Sequence, residues 1–217
     1  MKKLLLILCL TGFTTISFAQ SINLGVKAGA NLSNLAFSGV GYNLGNQYTT
    51  GFHAGLVADI GFQQFSIQPG LFFITKGTMY TDSLINNLGQ KAGTQTLKTT
   101  LNYLELPVNL LYKIQAAPKA KIYLGGGPYL GYGLSGSNEE YTTPASGPTS
   151  HSSLSFGGGF PHYRNPDYGV NFIAGIEMAK RFTFDLNYSL GLGNLVYPAG
   201  AKLQNRSMGL SVGYWFL

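Results

Sequence analysis

Apolar and polar residues alternate along most of this chain, and the pattern is cleanest over 181–192, RFTFDLNYSLGL. Phe182, Phe184, Leu186, Tyr188, Leu190 and Leu192 form one set. Arg181, Thr183, Asp185, Asn187, Ser189 and Gly191 form the other. Side chains on a strand point to opposite faces with a period of two, so the stretch is a strand with one apolar and one polar face. Its length exceeds the usual soluble strand of about 5–6 residues and matches the roughly 9–11 that cross a bilayer at a tilt. A lone strand in lipid would leave its N–H and C=O groups unpaired at several kcal/mol each, so it must belong to a closed barrel.

The same alternation predicts seven more strands, over 22–32, 48–62, 65–79, 97–113, 121–134, 167–178 and 203–217. Pro69 lacks a ladder donor, a blemish tolerable at a bulge. The connections alternate in length. Those at 33–47, 81–96, 135–166 and 193–202 are long and rich in Gly, Ser, Asn or Thr, whereas 61–64, 115–120 and 179–180 are short turns. Long external loops and short periplasmic turns are the habit of outer-membrane barrels, and an even strand number puts both termini on the periplasmic side. The expected fold is all-β: an eight-stranded antiparallel up-and-down transmembrane β-barrel.

Charge placement separates this from a secreted soluble barrel, which would carry its charges outside. Lys27, His53, Asp59, Lys76, Glu105, Lys113, Lys121, Asp167, Glu177, Arg181 and Asp185 all fall on the polar face. Lys or Arg on a lipid face at mid-membrane would cost about 2–4 kcal/mol, so the apolar face is the lipid face.

Composition agrees. Charged residues make up 10% of the chain, and mean hydropathy is only +0.10. Residues 1–19 read as a secretory signal peptide, with Lys2 and Lys3 ahead of an apolar run and Ser17-Phe18-Ala19 at the cleavage site, leaving 20–217 as the barrel domain. Cys9 would leave with it, and with it any thiol chemistry. Losing Lys2 and Lys3 leaves 12 basic and 8 acidic residues without a basic cluster, so no nucleic-acid partner is expected. No run approaches the roughly 20 apolar residues of a membrane helix.

Inward charges in a narrow barrel must be paired or hydrated. Lys27, Lys76, Lys113, Lys121 and Arg181 match Asp59, Glu105, Asp167, Glu177 and Asp185 in number, which predicts a structural salt-bridged lumen. Inward glycines such as Gly25, Gly125 and Gly175 would make room for Tyr103, Tyr123, Tyr129 and Trp215. His53 reads as a hydrogen-bonded filler near Asp59. GGGPYLGYG is no phosphate loop, because no helix follows it. His151, Ser152, Ser153 and His162, with Glu139 and Glu140, supply the residue types of a lipid-modifying enzyme without a meaningful spacing. Tyr141, Phe156, Phe160 and Tyr163 in the longest loop are candidate contacts for an external partner.

The segments LGVKAGANLSNL, GFHAGLVADI, FSIQPGLFFITKG, LNYLELPVNLLYK, LGGGPYLGYGL, DYGVNFIAGIE, LNYSLGLGNL and NRSMGLSVGYWF resemble, in this order, the PorT-like outer-membrane β-barrel family. The resemblance spans nearly the whole mature chain. It implies an eight-stranded barrel in a Gram-negative outer membrane, and its namesake takes part in protein secretion. It brings no catalytic, cofactor or metal residues. Phe216 followed by Leu217 departs from the usual terminal aromatic. The expected function is therefore non-enzymatic, structural or accessory to an envelope or secretion complex through the external loops. A surface-adhesion barrel is the alternative, and a lipid-modifying enzyme a more distant one. The expected partners are outer-membrane lipid, the barrel-assembly machinery during biogenesis, and envelope or secretion proteins.

Overall fold

The computed structural model describes residues 21–38, 47–143, 148–158, 162–197 and 200–216. The signal-peptide expectation for 1–19 lies outside them, as does Phe160. The strands are β1 (Ser21–Ser38), β2 (Thr49–Phe62), β3 (Phe65–Ile85), β4 (Lys91–Ala117), β5 (Ala120–Thr143), β6 (Pro148–Leu154), β7 (Asp167–Met178), β8 (Phe182–Gly191) and β9 (Lys202–Trp215). Eight of them form an antiparallel ring in the order β1-β2-β3-β4-β5-β7-β8-β9, closed by β9 against β1. The fold expectation holds, and the register shows why it must: each strand finds both neighbours, so no main-chain edge is left inside lipid.

The faces follow the alternation. On β8, Phe182, Phe184, Leu186 and Tyr188 are exposed, while Thr183, Asp185 and Ser189 are buried. Leu186 is 62% exposed and Asp185 only 3%, which in a water-soluble protein would be inverted. Aromatic pairs mark the short-turn rim of the apolar belt, with Phe65 and Tyr112 rings 5.1 Å apart and Phe182 and Tyr214 rings 5.4 Å apart. Aromatic girdles of this kind sit at membrane interfaces. The turn between β7 and β8 takes three residues, 179–181, with Ala179 and Lys180 at φ 51° and 59°. Positive φ at both centres gives the twist a tight hairpin needs, even without the usual Asn-Gly.

Pro69 does not sit at a bulge. The β2–β3 ladder opens between Val57↔Gly70 and Ile60↔Ile67 with its register unchanged. The proline simply leaves a rung unmade. The β4–β5 ladder opens in the same way beside Pro128, between Pro107↔Tyr129 and Leu110↔Gly126.

Two connections expected as loops are largely strand. Residues 81–96 form a hairpin in which β3 and β4 stay paired up to Leu84↔Gly93, leaving a turn only around 86–90. Within 135–166, β5 continues to Thr143 and β6 pairs back along it from Gly136↔Leu154 to Tyr141↔Pro148. These segments build a four-stranded sheet, β3-β4-β5-β6, standing clear of the ring at its long-connection end. Among the described residues β6 pairs with β5 alone, so its outer edge is open.

Candidate functional site

The lumen is filled in layers, each set by inward positions of different strands. Nearest the short turns, Lys113 of β4 meets Asp59 of β2 at 2.7 Å and Glu177 of β7 at 3.4 Å. Lys121, half-buried, is the cross-strand neighbour of Glu177. One layer up, Lys27 pairs with Asp185 at 2.7 Å and donates to Gln68 at 3.1 Å, which in turn reaches Asp59. The highest layer holds Lys76 against Glu105 at 2.5 Å and Asp167 at 3.9 Å. Tyr129 and Asn205 also donate to Asp167, and the Lys76 ammonium lies 4.5 Å from the Tyr129 ring centre.

These pairs are almost wholly dehydrated: Lys76 is 1% exposed and Asp167 0%. Removing one partner of such a pair leaves a buried charge, at a cost of about 3–5 kcal/mol. The layers therefore hold each other in place rather than act as loose titrating groups. Between the upper two layers lies a cavity of about 70 Å³, lined in part by His53, Asn109, Asn187 and Ser211. It has room for about five waters at 10–15 Å³ each. His53 bonds Ser211 at 2.7 Å and Asn31 at 3.3 Å rather than Asp59.

Glycines let the large side chains in. A Cβ on Gly175 would lie 2.7 Å from Tyr123 Cζ, so only glycine leaves space for that ring in the wall.

Above the ions the mouth is closed by apolar packing. Leu35, Ile74, Leu101, Tyr103 and Leu195 are buried together, and Leu154, Phe156, Tyr163 and Leu203 pack on them. Phe156 lies 5.3 Å from the Tyr103 ring centre and covers Gly133.

Several sequence expectations are corrected here. Arg181 is not in the lumen: it is exposed at the turn after β7 and donates to the Tyr214 hydroxyl at 2.7 Å. The positive-φ turn just before it breaks the face parity on which its inward placement relied. Phe156 and Tyr163 are not displayed to a partner but folded into the mouth, where burial pushes the Tyr163 phenol up. Tyr141 stays on the protruding sheet and donates to Glu139 at 2.8 Å. The enzyme-like residues do not converge. His151 sits opposite Glu139 across the β5–β6 ladder, and His162 contacts Ser155. Among the described residues no histidine hydrogen-bonds a carboxylate, and none forms a cluster with the ligands a metal needs. The cap itself was missed, though Leu154, Leu195 and Leu203 were signals: leucines in a polar stretch need a place to bury.

Residues 18–197 match the family model described as outer membrane protein beta-barrel domain. The chain belongs to that family. This outer-membrane barrel matches no curated protein. Among solved structures it is similar to Neisserial surface protein A, at 15% identity and a TM-score of 0.47, covering 90% of this chain and 99% of that one. It is also similar to Ail of Yersinia pestis, solved with the heparin analogue sucrose octasulfate, at 14% identity and a TM-score of 0.42, with 90% and 99% covered. OprG of Pseudomonas aeruginosa shows 11% identity and a TM-score of 0.41, with 91% and 97% covered. The match is to the outer-membrane barrel domain and does not single out the PorT-like group.

Proposed function

We propose that this outer-membrane barrel is a non-catalytic component of an envelope or protein-secretion assembly, within the PorT-like group, and that it engages a partner polypeptide through its protruding sheet. The open edge of β6 carries this reading. An unpaired strand edge offers a row of N–H and C=O groups to another extended chain. Natural edges are guarded by Lys, bulges or proline, yet here the proline and a register shift both sit at the start, at Pro148 and Thr149, and Ser150–Leu154 (SHSSL) carries no charged guard. The sealed lumen argues in the same direction, since activity must then lie outside it. Adhesion through loop aromatics is the weaker alternative, because Phe156 and Tyr163 are spent on the cap.

In this reading the barrel sits in a Gram-negative outer membrane with its long connections outside and both termini periplasmic. Single cysteines at Gln90 and Thr142 should label on intact cells, and those at Gln64, Lys119 and Lys180 should not. The opposite pattern would invert the barrel. For the partner, a photo-crosslinking residue at Ser152 should trap a polypeptide in cells. A chain with 137–153 replaced by a short Gly-Ser turn should fail to rescue, and so reproduce, the envelope or secretion phenotype that deletion of the gene produces. No crosslink, with a full phenotype rescue by the shortened chain, would refute the role of the edge.

A further inference from the structure

The lumen and the protruding sheet between them hold all 8 Asp and Glu side chains of the sequence. Asp59, Glu105, Asp167, Glu177 and Asp185 are buried in the ring, and Asp82, Glu139 and Glu140 lie on the sheet. The cations are divided differently. Lys27, Lys76 and Lys113 serve the lumen. Lys119, Lys180 and Arg181 are exposed at the short-turn end, with Lys121 half-buried beside them. Among the described residues no exposed carboxylate side chain shares that end, and none of these four cations makes an ion pair.

The four come from two neighbouring turns that are built as one platform. β5 pairs with β7 as far as Lys121↔Glu177 and Ala120↔Met178. Past the last rung the Ala179 N–H donates to the Lys119 carbonyl at 2.7 Å, which fastens one turn to the other. Gln115 braces the first turn, its side-chain amide donating to the Ala120 carbonyl at 3.2 Å. The second turn is anchored on β9. There the Arg181 carbonyl accepts from the Trp215 N–H at 2.8 Å, and its guanidinium donates to the Tyr214 hydroxyl at 2.7 Å. Lys180 stands at φ 59°, a left-handed position that Gly or Asn fills with less strain. The chain places a lysine there all the same.

These side chains leave main chains that touch, well inside the screening length of about 8 Å at physiological salt, so the cations repel one another with no acid between them. A partner bringing several carboxylates relieves that repulsion and is steered toward it. The platform is already ordered, so little conformational freedom is lost on binding. The distribution of charge tells against lipid headgroups as the occupant. Phosphates surround a barrel on every side, whereas these cations occupy two adjacent turns, and the third short turn presents only Gln63 and Gln64. Arg181 alone is level with the aromatic rim, at Tyr214, while Lys119 and Lys180 lie at the tips of their turns.

We propose that this basic platform docks an acidic polypeptide segment, a run of several Asp or Glu side chains on a chain that meets the barrel at its short-turn end. Lys119, Lys121 and Lys180 pair with its carboxylates, and Arg181, held by Tyr214, forms the edge toward the lipid. In the orientation proposed above the partner is periplasmic; the cysteine labelling decides only that side, and binding in solution does not depend on it. The platform and the β6 edge lie at opposite ends of the barrel, so the two contacts stand or fall separately. With both made, the barrel joins one polypeptide above the membrane to another below it.

The test uses the full mature chain in phosphatidylcholine nanodiscs and a short fluorescent Glu-Gly peptide, read by anisotropy, with the Gln-Gly peptide for comparison. The acidic peptide should bind, more weakly as salt is raised, and the neutral one should not. Lys119→Gln together with Lys180→Asn should weaken binding about tenfold, as two partly screened ion pairs are worth. Asn suits the positive φ at position 180. Lys121→Gln should have a smaller effect. Lys91→Gln with Lys98→Gln, which removes two cations from the protruding sheet, should change nothing. Folding of every variant is checked by its heat-shifted gel mobility; if the Lys180 variant fails to fold, Lys119→Gln with Lys121→Gln decides. Binding unmoved by the rim substitutions, or lost equally with the sheet pair, would overturn the proposal. Tighter lysine-dependent retention of phosphatidylglycerol in native mass spectrometry would give the rim to lipid instead. Tighter lysine-dependent sedimentation with isolated peptidoglycan would give it to the cell wall, and either result would equally overturn the proposal.

Discussion

Strands β4 and β5 each pass through two environments, and their side chains change where their hydrogen bonding does not. Below Tyr103, β4 alternates Leu104, Leu106, Val108 and Leu110 outward against Glu105, Pro107 and Asn109 inward. Above it, Gly93 to Asn102 carries Thr, Gln, Lys and Asn on both faces. The ladder to β5 runs through both parts, with a register shift at Asn102/Tyr103 where one gives way to the other. In the upper part, side chains pair across the strands instead: Thr81 with Thr96 at 3.0 Å, Thr99 with Asn138 at 2.7 Å, Asn102 with Ser135 at 3.1 Å. Main-chain pairing is indifferent to what surrounds it, whereas the side-chain period records whether one face must meet lipid.

The comparison can be broken most severely from inside. Lys76→Met would leave Glu105 and Asp167 buried without their cation, and should lower stability by about 3–5 kcal/mol in urea titrations of the detergent-folded barrel. A loss below about 1 kcal/mol would mean the lumen is wetter than described. Next comes the lipid face. Leu186→Arg should cost about 2–4 kcal/mol and impair assembly, read as loss of the heat-shifted gel band. Asn187→Arg, one residue on, points into the lumen beside the cavity and should be better tolerated. Equal harm from both would mean that the faces are exchanged. The same leucine-to-arginine change at Leu97, on the protruding sheet, should stay within about 0.5 kcal/mol, because both sheet faces there meet water. Smallest of all is the current expected in planar bilayers. The capped, ion-filled interior should show no steady large-conductance steps, as an eight-stranded ring leaves room for little beyond side chains. Large steps would make transport through the lumen the better account.

The membrane part of this molecule was legible because lipid enforces a simple code. Each of the eight ring strands carries one apolar set, and the inward placement of Lys27, Asp59, Lys76, Glu105, Lys113, Asp167, Glu177 and Asp185 follows from parity alone. Which cation meets which carboxylate did not follow, since that depends on stagger around the ring. The upper sheet was illegible for the opposite reason. In KAGTQTLKTT and PTSHSSL neither face has to be apolar, so there is no alternation to find, and β-branched threonine was the remaining hint of strand. Parity also expired at turns: Ala179 and Lys180, both at positive φ, release Arg181 from the face its neighbours assign it. The loop aromatics misled because composition says what a side chain can touch but not whether it is free to do so. Phe156 had a nearer use.

The seam between β1 and β9 has a consequence in time. Every other ring contact joins strands adjacent in the chain or separated only by β6, so each can form as a local hairpin. The fourteen rungs from Gly25↔Trp215 to Ser38↔Lys202 instead join the beginning of the barrel to its end. Closure must therefore wait for the last strand to be delivered. Until then β1 and β8 are raw edges that lipid cannot satisfy. A nascent barrel of this design is a sticky open sheet needing a chaperone up to its final residues, and a chain cut short before Lys202 would never stop needing one.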